Sequence, residues 1–255
     1  MNFSDYKNLP GINASFLKAC AKSAYDGFQY LHFPLEPTDA MRFGTALHTY
    51  FLERPDFYNR YAVSPKFDRR TKEGKAGHEA FLAKAGNKEL INEDDMDLVA
   101  ALRHSASAIK ELELFLTSDD TKFEFTESSE LGGVKIKGRL DAINPELGLL
   151  DVKTTKNADP ASFARDFINF GYDIQMLHYS YLAETTLGKA RLLVAACETT
   201  TGQVALYDVS DFVYRQTTVE KYNAAMAVAK SVIEMNECPA KFAPVAQTLN
   251  PPAWA

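Results

Sequence analysis

Three β-strand patterns in succession, in the middle of the chain, restrict its fold more than any other feature. Residues 121–131 and 134–143 both alternate apolar and polar positions, and the glycine pair at 132–133 is a hairpin turn signal. The Asn-Pro pair at 144–145 then breaks the chain before a third, more apolar strand with the sequence LGLLDVKT. The sequence therefore predicts three strands that lie beside one another in a sheet.

Helical patterns precede and follow these strands. Residues 1–118 show mostly helical patterns. After the third strand, the sequence predicts further helices, two more strands and a helix over 211–236. The predicted fold class is α/β: a mixed central β-sheet flanked by helices, with a helical N-terminal part. We expect one domain over 1–255, with the helical part at 1–118, the core at 119–238 and an irregular tail at 239–255.

Two helix starts in the N-terminal part carry capping residues. Asn13 or Ser15 can cap a helix that runs through FLKACAKSAYDGFQYL. Thr38 or Asp39 can cap a second helix, AMRFGTALHTYFLE. These two helices belong to the predicted helical N-terminal part.

Composition and patterning exclude several protein classes. The sequence has no apolar run of 18 residues, which predicts no membrane span, and MNFSDYKNLPG lacks the layout of a signal peptide. The three cysteines lie far apart and form no metal-binding spacing, so we expect a reducing compartment, the cytoplasm of a bacterial host.

Net charge alone does not indicate a nucleic-acid-binding protein, because the chain carries −6. Residues 60–88 nevertheless contain eight basic side chains against three acidic ones. This strip either binds DNA or is a solvated loop and helix face. The candidate DNA contacts within it are Arg69, Arg70, Lys72 and Lys75.

Two aspartates on neighbouring predicted strands indicate a metal site. Asp141 lies near the end of the second strand and Asp151 lies in the third, and the short connector places these strands side by side. Two adjacent carboxylates repel unless a cation joins them, and Mg²⁺ is typically held by one or two carboxylates, waters and phosphate oxygens. Lys153 would lie beside that cation, where an amine can hold or deprotonate a water for attack on a phosphodiester. An Asp–Lys ion pair on an exposed strand is the alternative.

Further motifs accompany this pair and together resemble a known family. GRLDAI and LLDVKTT, with nine residues between the aspartates, stand between FGTALHTYFLE upstream and YDIQMLHYSYL downstream. With LPGINASFLKACAKSAYDGF, DRRTKEGK and LNPPAWA, they resemble the PD-(D/E)xK nuclease superfamily. The resemblance is closest to its RecE-type, exonuclease VIII-like branch of phage and prophage recombination exonucleases.

The resemblance implies a restriction-endonuclease-like core and specific site residues. The implied metal site comprises His48, Glu127, Asp141, Asp151 and Val152. The implied catalytic group comprises Asp141, Asp151, Lys153, Gln175, Glu127 and Tyr179. Gln175 and Tyr179 are four residues apart, hence on one face of a helix that would stand over the site. Arg139, beside Asp141, is a further candidate phosphate contact.

The acidic residue on the first strand has three candidates, Glu124, Glu127 and Glu130. The family pattern falls on Glu127, which we take as the predicted site acid. Simple pairing across the glycine turn instead places Glu124 opposite Asp141. A bulge in either strand would change that parity.

The function implied is a Mg²⁺-dependent exodeoxyribonuclease, with Mn²⁺ as a substitute ion. It would degrade double-stranded DNA from its ends, from 5′ to 3′, and leave a 3′ single strand for a single-strand annealing protein. The resemblance also implies a ring-like homo-oligomer. The sequence has no Walker motif, so no ATP is needed, and no four-cysteine set for an iron–sulfur cluster. The alternatives are an endonuclease or single-strand nuclease, and a non-catalytic DNA-binding module.

Overall fold

The computed structural model describes residues 3–242, and the side chains of residues 5–242. Its N-terminal part is mostly helical, as predicted, and also holds two short strands that pair in parallel. The prediction did not include these strands, because four residues carry too little alternation to be recognised. The elements in order are α1 (Phe3–Asn8), α2 (Ala14–Lys22), α3 (Ala24–His32), α4 (Asp39–Leu52), α5 (Arg54–Arg60), β1 (Tyr61–Ser64), α6 (Lys72–Ala85), β2 (Glu89–Asn92), α7 (Glu93–Ser107) and α8 (Lys110–Thr117).

Side-chain caps fix where the first helices begin. The Asn13 side chain accepts from the Phe16 N–H and starts α2, and Thr38 caps α4 in the same way. Ser23 ends α2 and caps α3 through the Asp26 N–H, so the single helix predicted here is two. This break turns the chain sharply between α2 and α3.

The second half of the chain forms a five-stranded mixed sheet. Its elements are β3 (Lys122–Leu131), β4 (Val134–Asn144), β5 (Gly148–Thr155), α9 (Pro160–Asn169), α10 (Tyr172–Leu187), β6 (Leu192–Glu198), β7 (Gln203–Asp208), α11 (Ser210–Val213) and α12 (Gln216–Ile233). The strand order is β3-β4-β5-β6-β7, with β5 and β6 parallel and the other pairs antiparallel. Helices α9 and α10 make the crossover that a parallel pair requires. The predicted fold class is confirmed.

Each face of the sheet is covered by a layer of helices. On one face, α2, α9, α10 and α12 pack on residues such as Leu140 and Leu149. On the other, α4, α5, α7 and α8 pack on residues such as Leu150 and Leu193. Leu149 and Leu150 are adjacent yet belong to different layers, because successive strand residues face opposite sides. The central strands are therefore buried on both faces, as their apolar sequences indicate.

The segment before α2 is fixed on β4. The Ile12 N–H donates to the Lys135 carbonyl at 2.9 Å, and the Ile12 carbonyl accepts from the Lys137 N–H at 2.9 Å. The Lys137 ammonium donates to three main-chain carbonyls at and after the end of α1, those of Tyr6, Lys7 and Leu9. The N-terminal helices are thereby held on the first half of β4.

The described part of the tail, residues 239–242, contains neither helix nor strand. The rest of the predicted irregular tail, including LNPPAWA, lies outside the described residues. Within 3–242, no helix is both long and apolar enough to cross a membrane. The single-domain organisation stays a prediction.

Candidate metal centre

The β4–β5 pair brings the two predicted aspartates together. Asp141 lies in β4 beside the Ala142–Leu150 pair, and Asp151 follows Leu150 in β5. The Val152 N–H donates to Asp141 Oδ2 at 2.7 Å, which ties the Asp141 carboxylate directly to β5. Both acids are buried, with 10% of the Asp141 side chain and 1% of the Asp151 side chain exposed. The arrangement places two carboxylates out of contact with bulk water.

Helix α4 supplies a histidine to the same place. The His48 Nδ1 atom lies 3.5 Å from Asp141 Oδ2. His48, Glu124 and Asp141 each present one ligand atom, and these three atoms lie within 4.8 Å of one another. Carboxylate oxygens and an imidazole nitrogen are donors that suit a divalent cation, but ligands about 2.1 Å from one ion lie at most about 4.2 Å apart, so these atoms must approach slightly to share it. A small adjustment of the side chains would complete the site.

Glu124, and not Glu127, reaches this cluster. The hairpin pairs Phe123 with Ala142 and Phe125 with Leu140, so Glu124 lies across from Asp141, as simple pairing predicts. Glu127 instead pairs with Gly138, and it lies about 10 Å along the strand from Glu124 at ~3.3 Å per residue. Its carboxylate accepts from the Ser128 N–H. The geometry therefore does not support the family-pattern choice of Glu127.

The backbone at Glu124 is unusual. Its φ is +47°, in the left-handed region that residues other than glycine seldom adopt. The register of the hairpin is the same on both sides of it, so the bulge that would have changed the parity is absent from this strand pair. Such a conformation costs about 1–3 kcal/mol and often marks functional sites.

Arg139 is a charge partner of Glu124 rather than an exposed phosphate contact. Its Nε atom donates to Glu124 Oε2, and its terminal nitrogen lies 3.7 Å from Glu53 Oε1. Only 13% of the Arg139 side chain is exposed. Arg60 in turn pairs with Glu53 through two hydrogen bonds of 2.8 Å. The candidate ligand Glu124 is thus held by a chain of alternating charges that reaches α5.

Burial and mutual repulsion disturb the titration of these groups. Burial, followed by the charge of Asp151, raises the pKa of Asp141 to about 7, against a partial opposing effect of Lys153. Burial and the charge of Asp141 also raise the pKa of Glu124, although the Arg139 hydrogen bond opposes this. A bound cation would remove the conflict, because it favours the ionised carboxylates.

The electrostatics of His48 also suit a metal ligand. Burial and the positive charge of Lys153 lower the pKa of His48 below its usual value. The imidazole is therefore neutral at physiological pH, the form in which histidine binds a metal. The sequence predicted this residue only through the family resemblance, since a helical histidine is otherwise a common core residue.

Asp151 connects the cluster to two further predicted residues directly, Lys153 and Gln175, and to Tyr179 through Gln175. Its Oδ2 atom pairs with the Lys153 ammonium, and its Oδ1 atom accepts from Gln175 Nε2 at 3.0 Å. The same Gln175 nitrogen donates to the Tyr179 hydroxyl at 3.2 Å. Burial lowers the pKa of Lys153, but the charges of Asp151 and Asp141 outweigh this and raise it above its usual value. Lys153 is therefore a charged ammonium here.

Two residues of the site were not predicted, Lys18 and Tyr172. Lys18 Nζ donates to Gln175 Oε1 at 2.9 Å. The Tyr172 ring lies near two ammonium groups, with Lys18 Nζ 5.4 Å and Lys153 Nζ 5.2 Å from its centroid. Burial and the charge of Lys153 lower the pKa of Lys18 to about 8. The available signal was a lysine four residues after buried Ala14, on the apolar stripe of α2.

A cavity of about 980 Å³ opens beside this cluster, between the start of α4, the end of β5 and the α9–α10 turn. Its walls include Phe43, Phe163, Phe170 and Tyr172 together with Thr154. A β-carbon added at Gly44 would lie 3.8 Å from Thr154 Oγ1, which is an ordinary contact. A larger residue than glycine would therefore fit between α4 and the end of β5. The cavity is large enough for a nucleotide-sized ligand.

The four candidate DNA contacts of the basic strip lie on the loop before α6 and at the start of that helix. Arg69, Arg70, Lys72 and Lys75 are all exposed. Arg70 pairs with Asp68 at 2.9 Å. Their contact with DNA stays a prediction.

Comparisons with known proteins agree with this architecture. A family model described as "PDDEXK-like domain of unknown function (DUF3799)" matches residues 3–245. A crystal structure from Eubacterium rectale, described as "Putative exonuclease", is 16% identical over 96% of each chain, with a TM-score of 0.58. The structure of SSO0001 is 13% identical over 85% of each chain, and its TM-score of 0.31 is too low to indicate a shared fold. The search of curated proteins gave no match.

Proposed function

Because this chain belongs to the DUF3799 family of PDDEXK-like domains, we propose that it is a metal-dependent nuclease that hydrolyses DNA phosphodiesters. One observation carries the proposal: ligand atoms of His48, Glu124 and Asp141 converge beside the Asp151–Lys153 ion pair. An exposed ion pair, the alternative for the D-x-K pattern, would not be buried among further ligand atoms.

The residues that would hold the cation are His48, Glu124, Asp141 and Asp151. We propose Mg²⁺ as the ion, with Mn²⁺ as a substitute, because carboxylates dominate the donor set and the imidazole suits Mn²⁺ better than Mg²⁺. A bound divalent cation supplies charge neutralisation and polarisation at a phosphodiester. The Val152 N–H keeps Asp141 oriented toward the site in the absence of the ion.

Lys153 acts as a hydrogen-bond donor in this proposal. A charged ammonium has no lone pair, so with its raised pKa it cannot take a proton from water in this state. It can orient the attacking water or a non-bridging phosphate oxygen. Gln175 donates to Asp151 Oδ1 and fixes the orientation of that carboxylate. The Lys153 ammonium is then positioned by Asp151 Oδ2 and by the Tyr172 ring.

More specifically, we propose that the protein is an exonuclease that acts on duplex ends, from 5′ to 3′, without ATP. Support comes from the motif resemblance and from the description of the E. rectale protein as "Putative exonuclease". We propose that the exposed residues Arg69, Arg70, Lys72 and Lys75 contact the DNA backbone, as phosphate binding by Lys and Arg does not depend on sequence. The 3′ strand would pass to an annealing protein, and a ring-like homo-oligomer would retain the duplex.

A digestion assay tests the proposal. Wild-type protein is expected to release nucleotides from linear duplex DNA with Mg²⁺ or Mn²⁺, and to leave covalently closed circles intact. Asp151→Asn and Lys153→Met should reduce the rate by about 100-fold or more, whereas the exposed controls Asp119→Asn and Lys230→Met should not. Blocking the 5′ or the 3′ ends separately reports the polarity.

Two results would contradict this function. The first is a wild-type protein that releases no nucleotides with either ion, which would favour a non-catalytic DNA-binding module. The second is Asp151→Asn or Lys153→Met protein that matches the wild type. Cleavage of closed circles would replace the exonuclease with an endonuclease and keep the chemistry.

A further inference from the structure

Lys18 is a half-buried cation on α2, far in sequence from Asp151 and Gln175. Its ammonium donates to Gln175 Oε1, and Gln175 Nε2 donates to Asp151 Oδ1. We propose that Lys18 is a positioning residue, which acts on Asp151 through the amide of Gln175. This inference rests on the proposed nuclease function and adds a residue to it.

The position of Lys18 is fixed by the fold on both sides of it. Asn13 caps the start of α2 through the Phe16 N–H at 2.8 Å. Ile12, immediately before that cap, is hydrogen-bonded to β4 through both its N–H and its carbonyl. Leu17, adjacent to Lys18, is fully buried in the helical layer that includes α10. Lys18 therefore extends from a rigid support toward a second rigid helix.

The hydrogen bonds around Gln175 permit one orientation of its amide. An ammonium only donates, so the atom facing Lys18 must be the amide oxygen. A carboxylate only accepts, so the atom facing Asp151 must be the amide nitrogen. Rotation of the amide by half a turn would lose both hydrogen bonds. Lys18 and Asp151 thus hold Gln175 from opposite ends.

In the described part of the chain Lys18 makes no direct ion pair, and the Asp151 carboxylate attracts its ammonium from beyond the Gln175 amide. Its only described side-chain hydrogen bond is to a neutral amide, although even partial burial of an ammonium costs free energy unless it is paired. A methionine could fill the same space with no such cost, so packing alone does not account for a lysine here. Lys18 makes a second contact within the site, with the Tyr172 ring. The Lys153 ammonium contacts the same ring.

A double-mutant cycle tests the inference on the full chain. The variants are Lys18→Met, Gln175→Ala and the double variant, with Lys22→Met as the matched control one turn later on α2, where the side chain is exposed. The readouts are kcat and KM on linear duplex DNA, the Kd for Mn²⁺ by calorimetry, and the melting temperature.

Lys18→Met is expected to lower kcat by about tenfold or more, to weaken Mn²⁺ binding by a few fold, and to leave KM within about twofold. In the double variant, Lys18→Met should lower kcat no further than Gln175→Ala alone, because the effects of two substitutions are not additive when one residue acts through the other. Lys22→Met should match the wild type in every readout.

Three outcomes would overturn the inference while leaving the nuclease function intact. They are a Lys18→Met enzyme equal to the wild type, a kcat loss that multiplies with that of Gln175→Ala, and a selective rise in KM. The last two would instead indicate direct contact between Lys18 and a DNA phosphate. A wild-type protein that neither digests DNA nor binds Mn²⁺ would refute the nuclease function, and this inference with it.

Discussion

Asp141 is the residue at which burial and charge are most in conflict. Its carboxyl group is buried and is repelled by the charge of Asp151, and these effects raise its pKa from 3.8 to about 7. Folding therefore favours the neutral form of Asp141 relative to the unfolded chain. The stability that this form contributes is fully present below about pH 4, and it is lost as pH rises through about 7.

Asp141→Asn is therefore expected to stabilise the metal-free protein at neutral and higher pH. Asparagine keeps an oxygen that accepts from the Val152 N–H and carries no charge. In a chelating buffer, the gain in unfolding free energy should be on the order of 2 kcal/mol at about pH 8 and close to zero at about pH 4.5. Denaturation of both proteins across pH measures it. A variant that is less stable than the wild type at the higher pH would contradict the assignment.

The site residues differ in how far the sequence could reveal them. Asp141, Asp151 and Lys153 follow from strand pairing and spacing, which are local properties. Counting residues across the glycine turn gives Glu124, whereas the family pattern gave Glu127. Nothing local distinguishes Lys18 from a surface lysine, because its role depends on α10, which lies more than 150 residues away in sequence.

At the scale of elements, the approach of α10 to β4 brings Gln175 over the site. Gly138 in β4 faces this helix, and an added β-carbon would come within 2.5 Å of Leu182 Cδ1 and 3.2 Å of Tyr179 Cε1. The absence of a side chain at this position therefore sets how closely the helix packs. Tyr179, one turn after Gln175, lies directly on the glycine.

We expect Gly138→Ala to cost about 1–3 kcal/mol of unfolding free energy and to reduce nuclease activity, because it displaces Tyr179 and Gln175. Gly44→Ala, in the middle of α4, is the contrasting variant. It meets only an ordinary contact and should stabilise by about 0.5–1 kcal/mol. Urea denaturation of both variants measures the difference. Equal stability of the two proteins would show that α10 does not depend on Gly138.

Element boundaries were predictable where the local signals are strong. The strands on either side of the glycine turn lie where alternation places them, and α2 and α4 begin after the caps predicted at Asn13 and Thr38. The break between α2 and α3 was not predictable, because a serine such as Ser23 also occurs inside helices. Only the structure shows that its side chain caps α3. Strands β1 and β2 depend on pairing with each other across an intervening helix.

At the scale of the whole molecule, the candidate site joins the two helical layers. His48 comes from α4 on one face of the sheet, whereas Gln175 and Lys18 come from α10 and α2 on the other. The acids lie in the strands between them. This explains why the motifs of the chain are spread from its N-terminal helices to α10, and why strand patterns alone predicted the sheet but not the helices that complete the site.

The central claim is that His48, Glu124, Asp141 and Asp151 hold one divalent cation, and Mn²⁺ titration calorimetry tests it most directly. The wild type should bind Mn²⁺, Asp141→Asn should abolish binding, and Glu124→Gln should weaken it by about tenfold or more. Glu127→Gln, three residues along the same strand, should bind as the wild type does. No binding by the wild type, or a loss with Glu127→Gln but not with Glu124→Gln, would contradict the account.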